Sequence, residues 1–475
     1  MDLSNFLLMR QEISLIAIFV VLFMYDLFAS DNAKRYFQPV ACILFAIHTL
    51  YGFCPTIPTG SAFAGMYVTD SIHILVKNIL NIGVLLTFLQ SSVWLKSSDT
   101  LIRRGEFFII TLSTLFGMYL MISAGHFLMF YIGLETASIP MATLVAFDKY
   151  KHHSAEAGAK YILTAAFSSG IMLYGISMLY GATGALYFSD IAPMLTSGNA
   201  MMLLGMVFFL AGMFFKLSLV PFHLWTADVY QGAPTPVTAY LSVVSKGSAA
   251  FVLTILMFKV FSHFAVEWKE IFKWIIIITI TVGNLFAVRQ NNLKRFLAFS
   301  SISQAGYIVL GILAGTGLGM ATVVFYIAAY LFSNFAAFGV ISSIESKTGK
   351  VEISDYNGLY QTNPKLSLVM MLSLFSLGGI PFFVGFFSKF FIFYAAAEQG
   401  YYITVLLALL NTIISLYYYL LIIKAMFINK SDAPIEAFKT DGYNRLSLLI
   451  CVTGILVVGL ISPIFNLIEK LSFGM

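Results

Sequence analysis

The sequence has little charge and few cysteines. Asp, Glu, Lys and Arg make up 10% of its 475 residues, whereas a soluble domain carries about 25% charged residues. One soluble core would have to bury nearly every segment of such a chain, so the composition excludes an ordinary soluble protein. The three cysteines, Cys42, Cys54 and Cys451, lie far apart without a Cys-x-x-Cys pair. They indicate neither an iron–sulfur cluster nor a disulfide framework.

Motifs of soluble redox and nucleotide-binding enzymes are also missing. The sequence contains no Gly-x-Gly-x-x-Gly fingerprint and no phosphate-binding glycine loop. We therefore expect no redox cofactor in this chain. The net charge of +5 comes mostly from short basic loops and does not indicate nucleic-acid binding.

What the sequence does contain is a series of apolar runs, each about 20 residues long and so able to cross a bilayer. Hydrophobic residues make up 59% of the chain. The runs should be helices, because lipid offers no hydrogen-bond partner for backbone amides, and the alternating pattern of a membrane barrel is absent from the sequence. The first run lacks a small-residue cleavage site and is predicted to be a retained span.

These patterns predict an all-α polytopic membrane protein with about fourteen transmembrane helices in a single domain. The predicted spans are 11–29, 37–54, 72–95, 107–124, 126–147, 158–181, 200–226, 235–261, 272–288, 297–315, 319–345, 366–395, 402–428 and 446–469.

The basic residues of the connecting segments predict the orientation in the membrane. Taken alternately, one set of loops holds 17 of the 27 Lys and Arg residues, while the opposite set, with both termini, holds 5. Because cytoplasmic loops are rich in Lys and Arg, both termini should lie on the outer side. The larger set is Lys34, Arg35, Lys96, Arg103, Arg104, Lys149, Lys151, Lys160, Arg289, Lys294, Arg295, Lys347, Lys350, Lys365, Lys430, Lys439 and Arg445.

Subtracting these 22 Lys and Arg residues from the 27 leaves five lysines inside the spans, and one acid, Glu135, lies equally deep. The six residues are Lys77, Glu135, Lys216, Lys246, Lys389 and Lys424. An ionisable side chain at a helix centre costs about 2.5–3.5 kcal/mol, whereas a leucine returns only about 0.3–0.6 kcal/mol. Lys77 and Lys424 lie near span ends, where a long side chain can reach the membrane interface. We therefore expect substitution of either lysine to have only a mild effect. The other four lie deeper and favour a functional role, with a structural ion pair or anchor as the alternative.

Two spans carry helix-breaking residues beside their lysines. Pro221 follows Lys216 by five residues, and the stretch SLGGIPFFVGFFSKFF places three glycines and a proline ahead of Lys389. Proline removes a backbone hydrogen bond and clashes with the preceding turn, so both helices should kink or break there. Broken helices in corresponding positions of two halves are typical of transport sites. A proline kink that only shapes packing is the alternative.

Four stretches of the sequence resemble a known family. They are FYIGLETASIP at 130–140, PFHLWTADVYQGAPTPVTAYLSVVSKGSAA at 221–250, NNLKRFLAFSSISQAGY at 291–307 and GIPFFVGFFSKF at 379–390. Together they are similar to the antiporter-like membrane subunits of respiratory complex I, and the resemblance covers almost the whole chain. One departure is Ala227, where the family commonly has proline before the aspartate; it concerns only the loop after the seventh span.

The resemblance implies two inverted five-helix repeats inside the single domain of residues 1–475. Spans 1 to 3 (11–95) precede the first repeat (107–261), and the second repeat (272–428) precedes the final span (446–469). The breaks in spans 7 and 12 would then occupy corresponding positions.

The resemblance also implies a proton relay. Glu135 and Lys216 would form the pair of the first half-channel, Lys246 the central relay, and Lys389 the lysine of the second half-channel. Burial disfavours the charged form of a lysine, and a nearby carboxylate favours it. A lysine under both influences can load and release a proton.

Two further residues also match the family pattern. His223, close after Pro221, would lie near the relay. Lys160 matches another family lysine, but Glu156 lies one helical turn before it, and the two side chains can simply pair on the helix surface.

The resemblance predicts a proton-translocating, non-redox subunit of an NADH:quinone oxidoreductase in the bacterial inner membrane. NADH, FMN, iron–sulfur clusters and quinone would belong to partner subunits. The implied partners are other membrane subunits of the M and K types, the peripheral arm and the lipid bilayer. Two alternatives share the fold and the lysines: a subunit of an Mrp-type cation/proton antiporter, and a subunit of a membrane-bound hydrogenase.

Overall fold

The computed structural model describes residues 4–54 and 57–472 and is almost entirely helical. In chain order, the helices are α1 Ser4–Leu8, α2 Arg10–Phe28, α3 Asp31–Lys34, α4 Phe37–Gly52, α5 Ser71–Gln90, α6 Ser98–Leu101, α7 Arg104–Ile122, α8 Phe127–Val145, α9 His152–Thr183, α10 Phe188–Ile191, α11 Ala200–Leu217, α12 Trp225–Gly232, α13 Thr235–Tyr240, α14 Lys246–Lys259, α15 Ala265–Ala287, α16 Leu293–Ala314, α17 Gly317–Thr348, α18 Leu359–Thr362, α19 Pro364–Gly378, α20 Val384–Glu398, α21 Tyr402–Phe427, α22 Gly442–Leu460 and α23 Ser462–Ser472.

Few other elements interrupt the helices in the described residues. Strand β1 (Gly60–Ala62) pairs antiparallel with β2 (Tyr67–Thr69), with Gly60 opposite Thr69. The stretch Leu241–Ser245 is π-helical and joins α13 to α14. Short 3₁₀ turns occur at Trp94–Lys96, Ala192–Met194, Ser262–Phe264 and Ile353–Tyr356.

The lengths of the helices fit a polytopic membrane protein. Among the described residues, 12 helical segments are long and apolar enough to cross a bilayer, and Phe37–Gly52 and Pro364–Gly378 are shorter apolar helices. The all-α membrane fold class is therefore confirmed, while the count of fourteen and the inverted repeats stay predictions. The predicted final span is divided, because Pro463 cannot continue α22 and the chain restarts as α23.

Local signals in the sequence explain where several helices begin and end. The Asn292 side chain accepts hydrogen bonds from the backbone amides of Lys294 (3.1 Å) and Arg295 (3.2 Å), which caps the start of α16. The same helix ends at Gly315, whose φ of 68° is left-handed and suits glycine. Helix α16 and the following α17 are almost wholly buried.

The chain forms two compact units. One consists of Met1–Phe88, Leu95–Leu217 and Val244–Trp268, and the other of Leu89–Trp94, Ser218–Val243 and Lys269–Met475. In the first unit, α7 packs against α8, and α9 packs against α11. In the second unit, α17 lies at the centre and contacts α16, α19, α20 and α22.

Glycines let α7 and α8 approach closely. A Cβ atom at Gly117 of α7 would lie 2.3 Å from the backbone nitrogen of Ala137, and one at Gly133 of α8 would lie 2.7 Å from that of Met121. Such small-residue contacts are typical of helix pairs in membranes, where backbones must pack tightly. This contact fixes the position of α8, the helix that carries Glu135.

Candidate functional site

The first helix break lies directly beside Lys216, as the sequence predicted. Helix α11 ends at Leu217, and Ser218 adopts a left-handed φ of 61°. The chain then turns through the Val220–Pro221 cis peptide and resumes a helix only at Trp225. Lys216 is therefore in the last turn of a helix that stops inside a predicted span.

The Lys216 ammonium is held by residues of two neighbouring helices. It donates a hydrogen bond to Ser138 Oγ of α8. Its Nζ also lies 5.9 Å from the centre of the Tyr161 ring of α9, a distance at which a cation and an aromatic face attract each other. Lys216 thus makes its specific contacts inside the first unit.

Glu135 lies on the same face of α8 as Ser138, three residues earlier. Side chains three apart on a helix are neighbours, with Cβ atoms about 5–6 Å apart. Ser138, rather than Glu135, accepts the hydrogen bond from Lys216, and the carboxylate interacts with the ammonium electrostatically. Glu135 is therefore within electrostatic range of Lys216, and their pairing in a proton relay stays a prediction. The sequence carried no signal for the Ser138 contact.

Lys246 begins a helix directly after a π-helical turn. The π turn Leu241–Ser245 leads straight into α14, whose first residue is Lys246. Its side chain is 3% exposed. Single π turns inside helices often mark functional sites, because they leave backbone groups outside the regular ladder. The sequence carried no signal for this turn.

The second break lies beside Lys389 and is also as predicted. Helix α19 ends at Gly378, Gly379 has a left-handed φ of 82°, and α20 begins at Val384. The Lys389 ammonium reaches back across this break. It donates hydrogen bonds to the carbonyl oxygens of Leu377 (2.8 Å) and Gly378 (3.3 Å).

These two carbonyls belong to the final turn of α19. The last carbonyls of a helix have no partner within the helix and carry partial negative charge, so they bind a cation favourably. Lys389 is 4% exposed, and its Nζ lies 5.1 Å from the centre of the Tyr307 ring. Backbone dipoles and an aromatic face therefore hold this ammonium.

The other two candidate relay residues, His223 and Lys160, have different surroundings. His223 lies within the first break and is partly buried, and its Nδ1 is buried without a hydrogen-bond partner in the described part of the chain. Lys160 forms an ion pair with Glu156 at 2.7 Å, and its side chain is 43% exposed. The surface-pair alternative for Lys160 is thus present in the structure, and a relay role for either residue stays a prediction.

The prediction that the Lys77 side chain reaches the membrane interface is wrong. This side chain is completely buried and does not reach an interface. The ammonium forms an ion pair with Glu12 at 2.5 Å and donates a hydrogen bond to Ser123 Oγ at 2.7 Å. Tyr67 completes the cluster by donating a hydrogen bond to Glu12 at 3.0 Å.

Glu12 is a buried acid that the sequence did not single out. It is 0% exposed, although it lies at the very start of the first predicted span. It lies in the first turn of α2, where it meets Lys77 of α5. The expectation for Lys424 agrees with the structure, because this residue is exposed in the last turn of α21.

Comparison with known proteins agrees with the geometry. Residues 124–415 match the family described as NADH:quinone oxidoreductase/Mrp antiporter, TM. The chain is 59% identical over 470 residues to NADH-quinone oxidoreductase subunit N of Phocaeicola vulgatus, and the match covers 99% of both chains.

Two solved structures share the fold. A chain of respiratory complex I from Thermus thermophilus, determined with bound aureothin, is 28% identical and superposes with a TM-score of 0.80 over 97% of this chain and 98% of that one. A chain of the Mrp complex from Dietzia sp. DQ12-45-1b gives a TM-score of 0.86 at 20% identity, covering 99% of this chain and 97% of that one. The latter likeness concerns the fold alone. The chain belongs to the NADH:quinone oxidoreductase/Mrp antiporter transmembrane family, as an antiporter-like membrane subunit of respiratory complex I of the subunit N type.

Proposed function

We propose that this chain translocates protons within the membrane arm of complex I and that Glu135, Lys216, Lys246 and Lys389 carry them. The observation that supports this best is the placement of Lys389. Its ammonium is buried at a broken helix and held by two carbonyl oxygens. Ionisable groups in membrane helices are costly and are typically kept for transport.

Each lysine would hold a proton while its surroundings favour the ammonium and release it when they change. Two unit charges about 4 Å apart at an effective dielectric of 20 interact by about 4 kcal/mol. A shift of α8 that moves Glu135 relative to Lys216 would therefore alter the charge state of the lysine. Ser138 couples the two, since it contacts Lys216 and lies one turn from Glu135.

The redox chemistry belongs elsewhere in the complex under this proposal. NADH, FMN, iron–sulfur clusters and quinone would be bound by partner subunits, including the peripheral arm. Membrane subunits of the M and K types would be the neighbours. The distribution of Lys and Arg over the loops supports termini on the outer side of a bacterial inner membrane.

The Mrp-type antiporter and the membrane-bound hydrogenase were the alternatives that the sequence left open. The likeness to the Mrp chain at 20% identity concerns the fold alone and does not separate an antiporter from a complex I subunit. The 59% identity to a subunit N over 99% of both chains favours complex I. We therefore expect this chain to co-purify with NADH-oxidising peripheral subunits.

Substitution of Glu135 tests the first half-channel. Glu135→Gln removes the carboxylate that interacts with Lys216, so we expect proton pumping per assembled complex to fall by about ten-fold. Glu135→Asp keeps the charge but withdraws it by one methylene and should give an intermediate rate. Pumping is measured in closed inverted vesicles driven by NADH, with assembly quantified on native gels.

Lys149→Gln is the matched control. Lys149 is an exposed lysine of the same unit, in the loop between α8 and α9, and surface substitutions of this kind usually change stability by no more than about 0.5 kcal/mol. We expect near wild-type pumping from this variant. Undiminished pumping by assembled Glu135→Gln complex would contradict the role of Glu135.

A further inference from the structure

A small cavity that several polar side chains line lies against Lys389 in the second unit. Its volume is about 10 Å³ for the centre of a water-sized sphere, which is room for about one water molecule. Its lining includes Lys389, Gln304 and two tyrosines, Tyr326 and Tyr330, together with serines of α17, α19 and α20. Both tyrosines belong to α17.

Most hydroxyl groups of this lining already donate a hydrogen bond within the protein. Tyr326 donates to Gln304 Oε1. Ser333 donates to the carbonyl oxygen of Ala329 at 2.9 Å, and Ser388 donates to that of Gly385 at 3.0 Å. The next hydroxyl, Ser376, hydrogen-bonds to Ser333 at 2.7 Å and accepts from the Gly385 amide at 3.1 Å.

Tyr330 is different. Its side chain is 6% exposed, and its hydroxyl is buried without a hydrogen-bond partner among the described residues. An unpaired buried hydroxyl is costly, at about 1–3 kcal/mol, and each such group in a folded protein calls for an explanation. Here the residue lines the same small cavity as Lys389.

Gln304 fixes the surroundings of this cavity. Its Nε2 donates to Tyr419 at 3.2 Å and to the carbonyl oxygen of Leu377 at 3.3 Å. That carbonyl is the same one that accepts a hydrogen bond from Lys389 at 2.8 Å. The Gln304 amide therefore holds both Leu377 O, the partner of Lys389, and the Tyr419 hydroxyl in place.

A further acceptor lies beyond Tyr330. Ser301 of α16 is the neighbouring hydroxyl with which Tyr330 interacts, although the geometry does not complete a hydrogen bond between them. Ser301 in turn hydrogen-bonds to the Tyr230 hydroxyl of α12 at 3.4 Å. In the second unit, these hydroxyl groups therefore follow one another from α12 to the cavity at Lys389.

We propose that Tyr330 is a proton-relaying residue that connects Lys389 to Ser301 and Tyr230; this inference rests on the proposed proton translocation. In one direction, the Lys389 ammonium gives a proton to a water in the cavity, and the water gives one of its own to the Tyr330 oxygen. The original hydroxyl hydrogen of Tyr330 passes to Ser301, that of Ser301 passes to Tyr230, and that of Tyr230 passes to a water molecule beyond it. Each hydroxyl gains one hydrogen and loses one, that last water carries the excess proton away, and Lys389 is left as the neutral amine.

The test is Tyr330→Phe in the intact complex. The substitution removes one oxygen atom that makes no hydrogen bond, so assembly should be unchanged. A positioned proton-transfer group contributes about 10²–10⁴-fold to a rate. We expect the pumping rate per assembled complex to fall by at least about ten-fold. Turnover in D₂O should also slow more than it does in wild type, because proton transfer becomes limiting.

Tyr356→Phe is the matched control. Tyr356 is likewise a fully buried tyrosine of the second unit whose hydroxyl has no partner in the described residues, but it does not line the cavity. Its substitution should leave pumping and the solvent isotope effect at wild-type values. An equal loss in both variants would overturn the inference, since the effect would then come from losing any buried hydroxyl.

Lys389→Met, measured in parallel, separates this inference from the proposed function. If Lys389→Met abolishes pumping and Tyr330→Phe pumps at the wild-type rate, the Tyr330 inference fails and the proposed function stands. If assembled Lys389→Met pumps normally, both fail. Loss of assembled complex in Tyr330→Phe would also overturn the inference, because it would show a structural role for the hydroxyl.

Discussion

Complex carrying Lys389→Met is expected to assemble and to lose at least about nine-tenths of its NADH-driven proton pumping. Methionine keeps the length and apolar stem of the lysine but carries no proton. Of the two carbonyls that hold the ammonium, Leu377 O still accepts a hydrogen bond from Gln304 in the variant. One carbonyl, that of Gly378, loses its lysine donor, which costs far less than an unpaired buried charge.

Lys424→Met provides the control for this experiment. Lys424 is an exposed lysine in the last turn of α21, and its removal should leave both assembly and pumping near wild type. Pumping is followed as acidification of inverted vesicles and normalised to assembled complex on native gels. Normal pumping by assembled Lys389→Met would remove Lys389 from the relay.

The second large effect is expected on assembly rather than on pumping. Lys77→Leu leaves the fully buried carboxylate of Glu12 without its ammonium partner. Breaking a buried ion pair by removing one partner destabilises a protein by about 3–5 kcal/mol. We therefore expect little or no assembled complex from this variant, as measured by native-gel abundance in the membrane.

The double variant Glu12→Gln with Lys77→Met isolates the cause. It removes both charges, and replacing a buried ion pair by neutral groups of similar volume is often close to neutral. Assembled complex should therefore recover well above the level of Lys77→Leu. Wild-type abundance of the Lys77→Leu complex would contradict the buried pair, and equally poor assembly of the double variant would place the cost in packing.

The helix breaks were predictable because their causes are local. Pro221 lacks an amide hydrogen, and Gly379 adopts a left-handed conformation that most residues avoid. Such effects act within a few residues and can be read from one sequence. The same holds for the Asn292 cap and the Gly315 stop of α16.

The partners of buried polar groups were not predictable, because they come from distant parts of the chain. The position of Lys77 in its span indicated a reach to the interface, yet Glu12, 65 residues earlier, lies 2.5 Å away. Ser138 looks like any small residue of a membrane helix, and only the packing of α8 brings it to Lys216. The sequence did not single out Tyr330, because the pairing of its hydroxyl depends on which hydrogen bonds the neighbouring side chains make in the folded protein.

The measurement that tests the central claim most directly is the rate of proton pumping by assembled complex carrying Lys216→Met. Lys216 lies in the last turn of the broken helix α11, contacts Ser138 and interacts with Glu135, so the claim predicts a pumping rate at least about ten-fold below wild type. NADH oxidation, recorded in the same vesicles, should fall with it where pumping and turnover are tightly coupled. Wild-type pumping per assembled complex would contradict the claim that this lysine carries the proton.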